Sequence, residues 1–461
     1  MVHRPDIVLI VIDDLGWRDL ACMGSTFYET PHIDRLASSG ARFTQAYAPS
    51  PVCSPSRAAI LTGRDPARIG LTQFIGGHGV GRLGEVPTLP ALPANEVTLA
   101  RTLREAGYAT WHVGKWHLGP RHSWPDQHGF DVNVGGCERG RPGSYHSPYG
   151  IDTLPDGREG EYLTDRLTDE AIDLIRTAGD RPYFLNLWHY AVHTPIQGPA
   201  ELVEKYERKR SLLDDQPEFE TGEPYPVWHR RHHLVRRRVT QSDPGYAAMI
   251  ENLDANVGRL LDAISESGRA DRTLIVLTSD NGGLSSTDVA PTCNLPLREG
   301  KGWTYDGGVR VPLLVRWPGV TRAGAVIDAP VSLVDLFPTL NSATDATLPP
   351  VGIDGVDVAP MLRGEEQDRG PIYWHYPHYS HSGATPATAV RAGRWKLVRH
   401  YETDRDELYR MADDESESSD VAAEHPRRAA ELGRLLDDYL SEIGAGVPAP
   451  NPIPPFADLP G

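Results

Sequence analysis

Four stretches of this chain share one arrangement of apolar and polar residues: a short, nearly unbroken apolar run that stops at charged or imidazole side chains. Ile7–Ile12 stops at Asp13 and Asp14, and Leu274–Leu277 leads through Thr278 and Ser279 to Asp280 and Asn281. Tyr108–Val113 leads into Gly114-Lys115-Trp116-His117, and Tyr183–Trp188 into His189 and then His193-Thr194-Pro195. Runs of this kind predict strands buried on both faces of a parallel sheet. Helical patterns lie between them. The clearest runs from Pro244 to about Ser267, with Tyr246, Met249, Ile250, Leu253, Val257 and Leu260 on one stripe, Asp243 as N-cap and Gly268 as terminator. The alternation predicts an α/β fold: a large, mostly parallel sheet sandwiched by helices, with its chemistry beyond the carboxyl ends of the strands. All four polar endings then fall on one edge.

Towards the C-terminus the pattern changes. Thr388–Val398 reads as a strand pair, and Pro426–Ile443 as an amphipathic helix through Ala430, Leu432, Leu435, Leu436, Tyr439 and Leu440. This predicts a catalytic domain over residues 1–370 and a smaller C-terminal α+β subdomain with a short antiparallel sheet over 371–461. Gly444–Gly461, rich in Pro and Gly, reads as an extended tail. Residues 228–239 carry five arginines and three histidines, with Trp228, Val235 and Val239 spaced for a helix with a thin apolar stripe. Such a run reads first as a solvated helix face. The sharper reading is that an insert over roughly 200–243 rims the active site and engages a second anionic group or a sugar.

Composition narrows the class. At 461 residues, with 39% hydrophobic and 24% charged residues, the chain has the make-up of a soluble globular protein larger than one ordinary core. It has no apolar run long enough to span a membrane, and Ile7–Ile12 is too short for the core of a signal peptide. The expected location is cytoplasmic, unless a leader has been removed. Cys22, Cys53, Cys137 and Cys293 show no CxxC spacing and predict no disulfide framework. A net charge of −17 excludes nucleic acid as a partner and would repel an anionic substrate, so a site for one requires a local island of positive charge.

Asp13, Asp14, Asp280 and Asn281 offer only hard oxygen ligands, which suits Ca²⁺ or Mg²⁺ and not zinc. An Asp-Asp pair after a strand also serves as a turn or helix cap, but a second such ending after a second buried strand favours a cation. The segment Cys53-Ser54-Pro55-Ser56-Arg57 puts a cysteine where a helix opens, with Pro tolerated in the first turn and Arg57 adding a planar cation. The dipole and free N–H groups of that helix end form an anion cradle.

C-x-P-S-R followed by L-T-G-R, complete here in CSPSRAAILTGR, resembles the signature of the type I sulfatases of the alkaline phosphatase superfamily. Similar blocks run from Asp13 to Pro312, with an echo at Trp395-Lys396. The resemblance implies that Cys53 is oxidised by a maturation enzyme to formylglycine (3-oxoalanine). It also implies that Asp13, Asp14, Asp280 and Asn281 bind one divalent cation, usually calcium, with residue 53 as a further ligand. Arg57, Lys115, His193 and Lys301 would bind the sulfate, His193 or Lys301 would protonate the leaving oxygen, and His117 would be the base that regenerates the aldehyde. Arg57, Lys115 and Lys301, with protonatable His117 and His193, would make up the positive island. His189 is left out as structural. The implied substrate is a sulfated carbohydrate or an aryl sulfate, a saccharide or other small sulfated molecule, with no nucleic acid or membrane partner. Two alternatives stand beside it: a phosphonate or phosphate monoester hydrolase of the same superfamily, and an unmodified, non-catalytic binder of sulfated ligands.

Overall fold

The computed structural model describes residues 4–213, 216–344, 346–348 and 352–452. Its first strands are β1 (Asp6–Ile12), β2 (Ala41–Tyr47), β3 (Ala109–Gly114), β4 (Val132–Val134) and β5 (Tyr183–Trp188). A hairpin follows, β6 (Phe219–Pro224) with β7 (Leu234–Arg238), and then β8 (Thr273–Ser279), β9 (Arg310–Arg316), β10 (Ala325–Ile327) and β11 (Val331–Ser332). The C-terminal strands are β12 (Ile372–Tyr376), β13 (Ala387–Ala392), β14 (Trp395–His400) and β15 (Arg405–Arg410).

The main sheet runs β10-β2-β9-β8-β1-β5-β3-β4, with β11 paired to β2. Within it β8, β1, β5, β3 and β4 are parallel, and β9 runs antiparallel to both its neighbours. Alternation along β1 divides the core. Val8, Ile10 and Ile12 enter one apolar layer and Ile7, Leu9 and Val11 the other, as the period of a strand demands. The first layer is covered by the helices Leu163–Arg176 and Pro244–Glu266, the second by Cys53–Thr62 and Leu99–Glu105. The helix Pro244–Glu266 starts as its sequence demands, with the Asp243 side chain accepting from Tyr246 N and Pro244 in the first turn. No helix among the described residues is long and apolar enough to cross a membrane.

β12, β13, β14 and β15 form a separate antiparallel sheet. One face packs on the helix Pro426–Glu442 through Leu432, Leu436 and Leu440; the other packs on Tyr47, Tyr305 and Val309 of the main body. Between the two sheets Lys396 Nζ bridges Asp306 Oδ1 and Glu417 Oε1, each at 2.8 Å, with all three side chains fully buried. Residues after the helix return to the main body, where Asn451 N donates to Arg82 O and Gly84 N to Ala449 O, both at 2.8 Å. The remainder of the expected tail, 453–461, lies outside the described residues.

The helix expected over 228–239 is not formed. A short 3-10 turn at Trp228–Arg230 is followed by β7, which pairs antiparallel with β6. Val235 is buried while Leu234 and Arg236 face outwards, so the segment obeys a period of two. Two of its arginines are held by partners about twenty residues earlier, while Arg237 pairs with Glu299 and Arg230 with Asp288. Arg236 and Arg238 lie 4.3 and 4.4 Å over the Phe219 ring, and Arg238 also reaches Glu218.

Candidate active site

The polar ends of β8, β1, β5 and β3 meet at one edge of the sheet, because these four strands are parallel and adjacent. Directly after β1 the backbone of Asp14 turns into the left-handed region, with φ 61°. Its N–H donates to Asp280 Oδ1 at 3.2 Å, joining the ends of β1 and β8. The turn after β8 is equally crowded: Gly282 N donates to Gly308 O at 2.9 Å, and a Cβ on Gly282 would fall 1.9 Å from Gly307 O. That close approach requires glycine here, and gives Gly307-Gly308 an architectural part.

Cys53 opens a helix, Cys53–Thr62, that is buried throughout. Pro55 in its first turn has no N–H to satisfy. The Cys53 Sγ lies 3.7 Å from Asp13 Oδ1 and 3.4 Å from Lys301 Nζ. Burial pushes the thiol up to about 12, against the pull of Lys115 and Lys301. It is therefore protonated at neutral pH and is a poor nucleophile as it stands.

Each carboxylate of the cluster has a cation. Lys115 Nζ donates to Asp13 Oδ2 at 2.6 Å, Lys301 Nζ reaches Asp14 Oδ1 at 2.7 Å, and Arg57 Nη2 reaches Asp280 Oδ2 at 2.7 Å. Arg57 also donates through Nη1 to Lys115 O and lies 5.0 Å over Trp188. Burial holds Asp13 up at about 7 even with Lys115 beside it, while for Asp14 burial is outweighed by Lys301, His193 and Lys115, which hold it below the usual carboxylate range. Three carboxylates against three cations leave no surplus positive charge for an anion. A divalent cation would supply it, and the donors fit one. Asp13, Asp14, Cys53 and His193 bring ligand atoms within 4.8 Å of one another, and Asn281 Oδ1 is buried without a hydrogen-bond partner.

His117 and His193 complete the set. His117 also has a positive φ, 57°, and a strained non-glycine residue of this kind costs about 1–3 kcal/mol that the surroundings must offset. Its Nε2 is 3.2 Å from the carbonyl of Ile75, which places the proton on Nε2 and leaves Nδ1 as an acceptor, buried and without a partner. Burial, then Lys115, holds its pKa well below 6.5. His193 Nε2 is 3.6 Å from Asp14 Oδ2, and burial brings this ring down to about 3.

The structure thus gathers every site residue expected from the sequence, at two depths. Cys53, His117, His193 and Lys301 line a cavity of about 530 Å³. Arg57 and Lys115 lie beneath it with no solvent exposure. His189 is buried, is not among the lining residues, and its Nδ1 has no partner. The remaining wall includes Phe74, Arg141, Arg230, Asp288 and His381, of which only the segment containing Arg230 stands out in the sequence. These residues come from irregular loops without periodicity, so no local signal marks them. Only Arg230 of the five arginines in 228–239 reaches the wall, and it is already paired with Asp288 and stacked on Tyr225.

A family model described as Sulfatase matches residues 5–346, and one described as N-sulphoglucosamine sulphohydrolase, C-terminal, matches residues 300–443. A sulfatase of Formosa agariphila is 32% identical over 513 residues, covering 92% of this chain and 85% of its own length. Arylsulfatase A of Homo sapiens is 33% identical over 427 residues, covering 86% of this chain and 75% of its own. The solved structure of Ps i-CgsB in complex with k-i-k-neocarrahexaose superposes with a TM-score of 0.75 at 30% identity, covering 95% of this chain and 93% of that one.

Proposed function

The chain belongs to the sulfatase family and is a sulfuric ester hydrolase, and from that premise we propose that it removes sulfate from a sulfated carbohydrate at the cavity over Cys53. The carbohydrate reading is supported by the complex of Ps i-CgsB with k-i-k-neocarrahexaose. The phosphonate or phosphate ester hydrolase and the non-catalytic binder are not favoured, since the relatives at 32–33% identity are sulfatases, whereas a phosphonate monoester hydrolase of Agrobacterium radiobacter shares the fold at 23% identity.

The family implies a metal ion and a formylglycine, and the residues present fit both. Asp13, Asp14, Asp280 and Asn281, with residue 53, would hold the cation, for which Ca²⁺ is proposed and Mg²⁺ is the alternative; when bound it supplies Lewis-acid charge. Cys53 oxidised to formylglycine by a maturation enzyme would supply, from the hydrated form of its aldehyde, a nucleophilic hydroxyl oxygen in place of a thiol that stays protonated.

The rest falls to side chains of the chain itself. Lys301 lines the cavity and carries fixed positive charge towards a bound sulfate. Arg57 and Lys115, from beneath, orient Asp280 and Asp13 and add charge that stabilises a spread anionic transition state. His117 lines the cavity, and its unpartnered Nδ1 is the nitrogen free to take a proton. His193 or Lys301 passes a proton to the departing alcohol oxygen.

One observation carries this reading: Cys53 stands at the start of a buried helix, within 3.7 Å of Asp13 and 3.4 Å of Lys301, inside a cluster of hard oxygen donors. The test is mass analysis of the peptide containing residue 53, with hydrazide trapping of an aldehyde, paired with sulfate release from a panel of sulfated saccharides. An aldehyde with sulfate release is expected. Full conversion to the aldehyde with no release from any ester overturns the reading.

We also propose the division into residues 1–370 and 371–461, supported by the interval between β11, the last strand of the main sheet, and β12, the first of the small one.

A further inference from the structure

The cavity over Cys53 is larger than one sulfate group requires, so much of its 530 Å³ faces the remainder of the substrate. Its lining cations differ in one respect. Lys301 is paired with Asp14, and Arg230 with Asp288. Arg141 has neither a hydrogen bond nor an ion pair among the described residues. The free guanidinium stands on fixed backbone. A Cβ on the preceding Gly140 would lie 2.6 Å from His117 Cε1, so the chain passes hard against that ring. Two residues on, Gly143 N donates to Tyr149 O at 2.8 Å. On a chain of net charge −17, an exposed and uncompensated cation thus stands on the wall of a cavity that must receive an anion, one residue on from the glycine that abuts the proposed base.

The neighbouring wall has a different character. The Phe74 and His381 rings meet edge to face, with centroids 5.9 Å apart, and Arg230 holds the Asp288 carboxylate in place. An aromatic edge with a carboxylate–guanidinium pair matches the C–H face and hydroxyl groups of a sugar ring. The remaining free group, a planar fork of N–H donors, matches an oxyanion.

We infer that Arg141 is a specificity-determining residue that binds a second anionic group, sulfate or carboxylate, on the same saccharide as the sulfate being removed. The inference rests on the sulfatase reading and narrows its substrate to saccharides carrying at least two negative charges. It assigns the second anionic group to Arg141 and leaves to the basic run 228–239 only the place of Arg230, paired with Asp288, on the sugar-facing wall.

The test compares kcat/KM within matched substrate pairs on fully matured enzyme. One pair is a hexosamine disulfate and the corresponding monosulfate; the other is a monosulfated disaccharide with a uronate or with a neutral hexose. The wild type is expected to favour the dianionic member at least tenfold at low salt, mainly through KM. Arg141→Ala is expected to abolish that ratio and Arg141→Lys to keep part of it, with added salt compressing the ratio in the wild type. The pair that shows the preference tells sulfate from carboxylate. A wild type that hydrolyses a nitrophenyl sulfate yet favours neither member overturns the inference alone. A ratio untouched by Arg141→Ala, or equal losses on both members, overturns it as well. Absence of sulfate release from every ester overturns the sulfatase reading and this inference together.

Discussion

Asn281 donates through Nδ2 to Asp14 Oδ1 at 2.8 Å, which leaves its own Oδ1 buried with nothing to accept from. A bound divalent cation satisfies that oxygen and the carboxylates around it. Because such a ligand binds only the folded chain, saturating Ca²⁺ is expected to raise Tm, by about 2.7 kcal/mol of stability at a hundredfold excess over Kd. Chelation reverses the gain. Asn281→Ala is expected to shift the Ca²⁺ concentration at half-maximal Tm gain at least tenfold upwards; an unchanged titration removes Asn281 from the ligand set.

Arg57 and Asp280 form a second buried pair, at 2.7 Å with neither side chain exposed. Arg57→Ala leaves Asp280 ionised without its partner, a loss of about 3–5 kcal/mol that urea unfolding measures. Arg57→Lys restores the charge without the two-point contact. Its stability is expected to recover further than its kcat/KM, which stays at least about a hundredfold down.

His193 and Lys301 are the two proton donors proposed for the departing alcohol, and leaving groups of different acidity separate them. A nitrophenolate departs without help, whereas a sugar alkoxide needs its proton. Replacing the donor therefore slows saccharide sulfates about 10²–10⁴-fold more than nitrophenyl sulfate. His193→Ala is expected to show this selective loss, and Lys301→Ala a loss on both substrates. Equal losses from His193→Ala assign the proton to Lys301.

The Lys396–Asp306–Glu417 cluster ties the two sheets together with no exposure. Lys396→Met strands two carboxyls, and a cost of about 3–5 kcal/mol in urea unfolding is expected. Glu417, which burial already pushes up to about 7, is the group that can take up a proton in response. Adding Glu417→Gln to Lys396→Met is expected to recover part of the loss. Independent, additive effects would show that the three side chains do not act as one unit.

His112 is buried between Asn186 and the Gly114 carbonyl, and burial holds its pKa at about 3. Unfolded, the ring titrates near 6.5. Below that pH the unfolded chain binds a proton that the folded chain refuses, so stability present above pH 6.5 is lost as pH falls towards 3. Asp254, raised by burial to about 6, titrates in the opposite sense, so the check is a difference between proteins. The gap in unfolding free energy between wild type and His112→Gln is expected to change by about 1.4 kcal/mol per pH unit below 6.5, with the wild type losing more. A constant gap overturns this.

What the sequence made legible was what repeats or sits at a fixed offset. β1 and β8 were visible because burial on both faces demands unbroken apolar residues, and their acidic ends stood out against that background. The spacing within Cys53–Arg57 and Lys115–His117 carried the rest of the reaction centre. Residues 228–239 misled because Trp228, Val235 and Val239 fit a helical stripe. The decisive partners, Phe219 and Glu218, lie outside any local window. Arg141, Phe74 and His381 were invisible for the same reason: their meaning lies in what they stand beside.

Asp14 and Lys301, 2.7 Å apart, are separated by 287 residues of chain. Every strand that delivers a reacting group pairs with one made long before or long after it, and such loops are slow to close. No fragment shorter than about residues 13–301 carries all of the expected site residues, and partial folding would leave the carboxylates without their cations. The onset of sulfate release during refolding should therefore coincide with the last pairing in the block β8-β1-β5-β3, which makes turnover a clock for completion of the sheet.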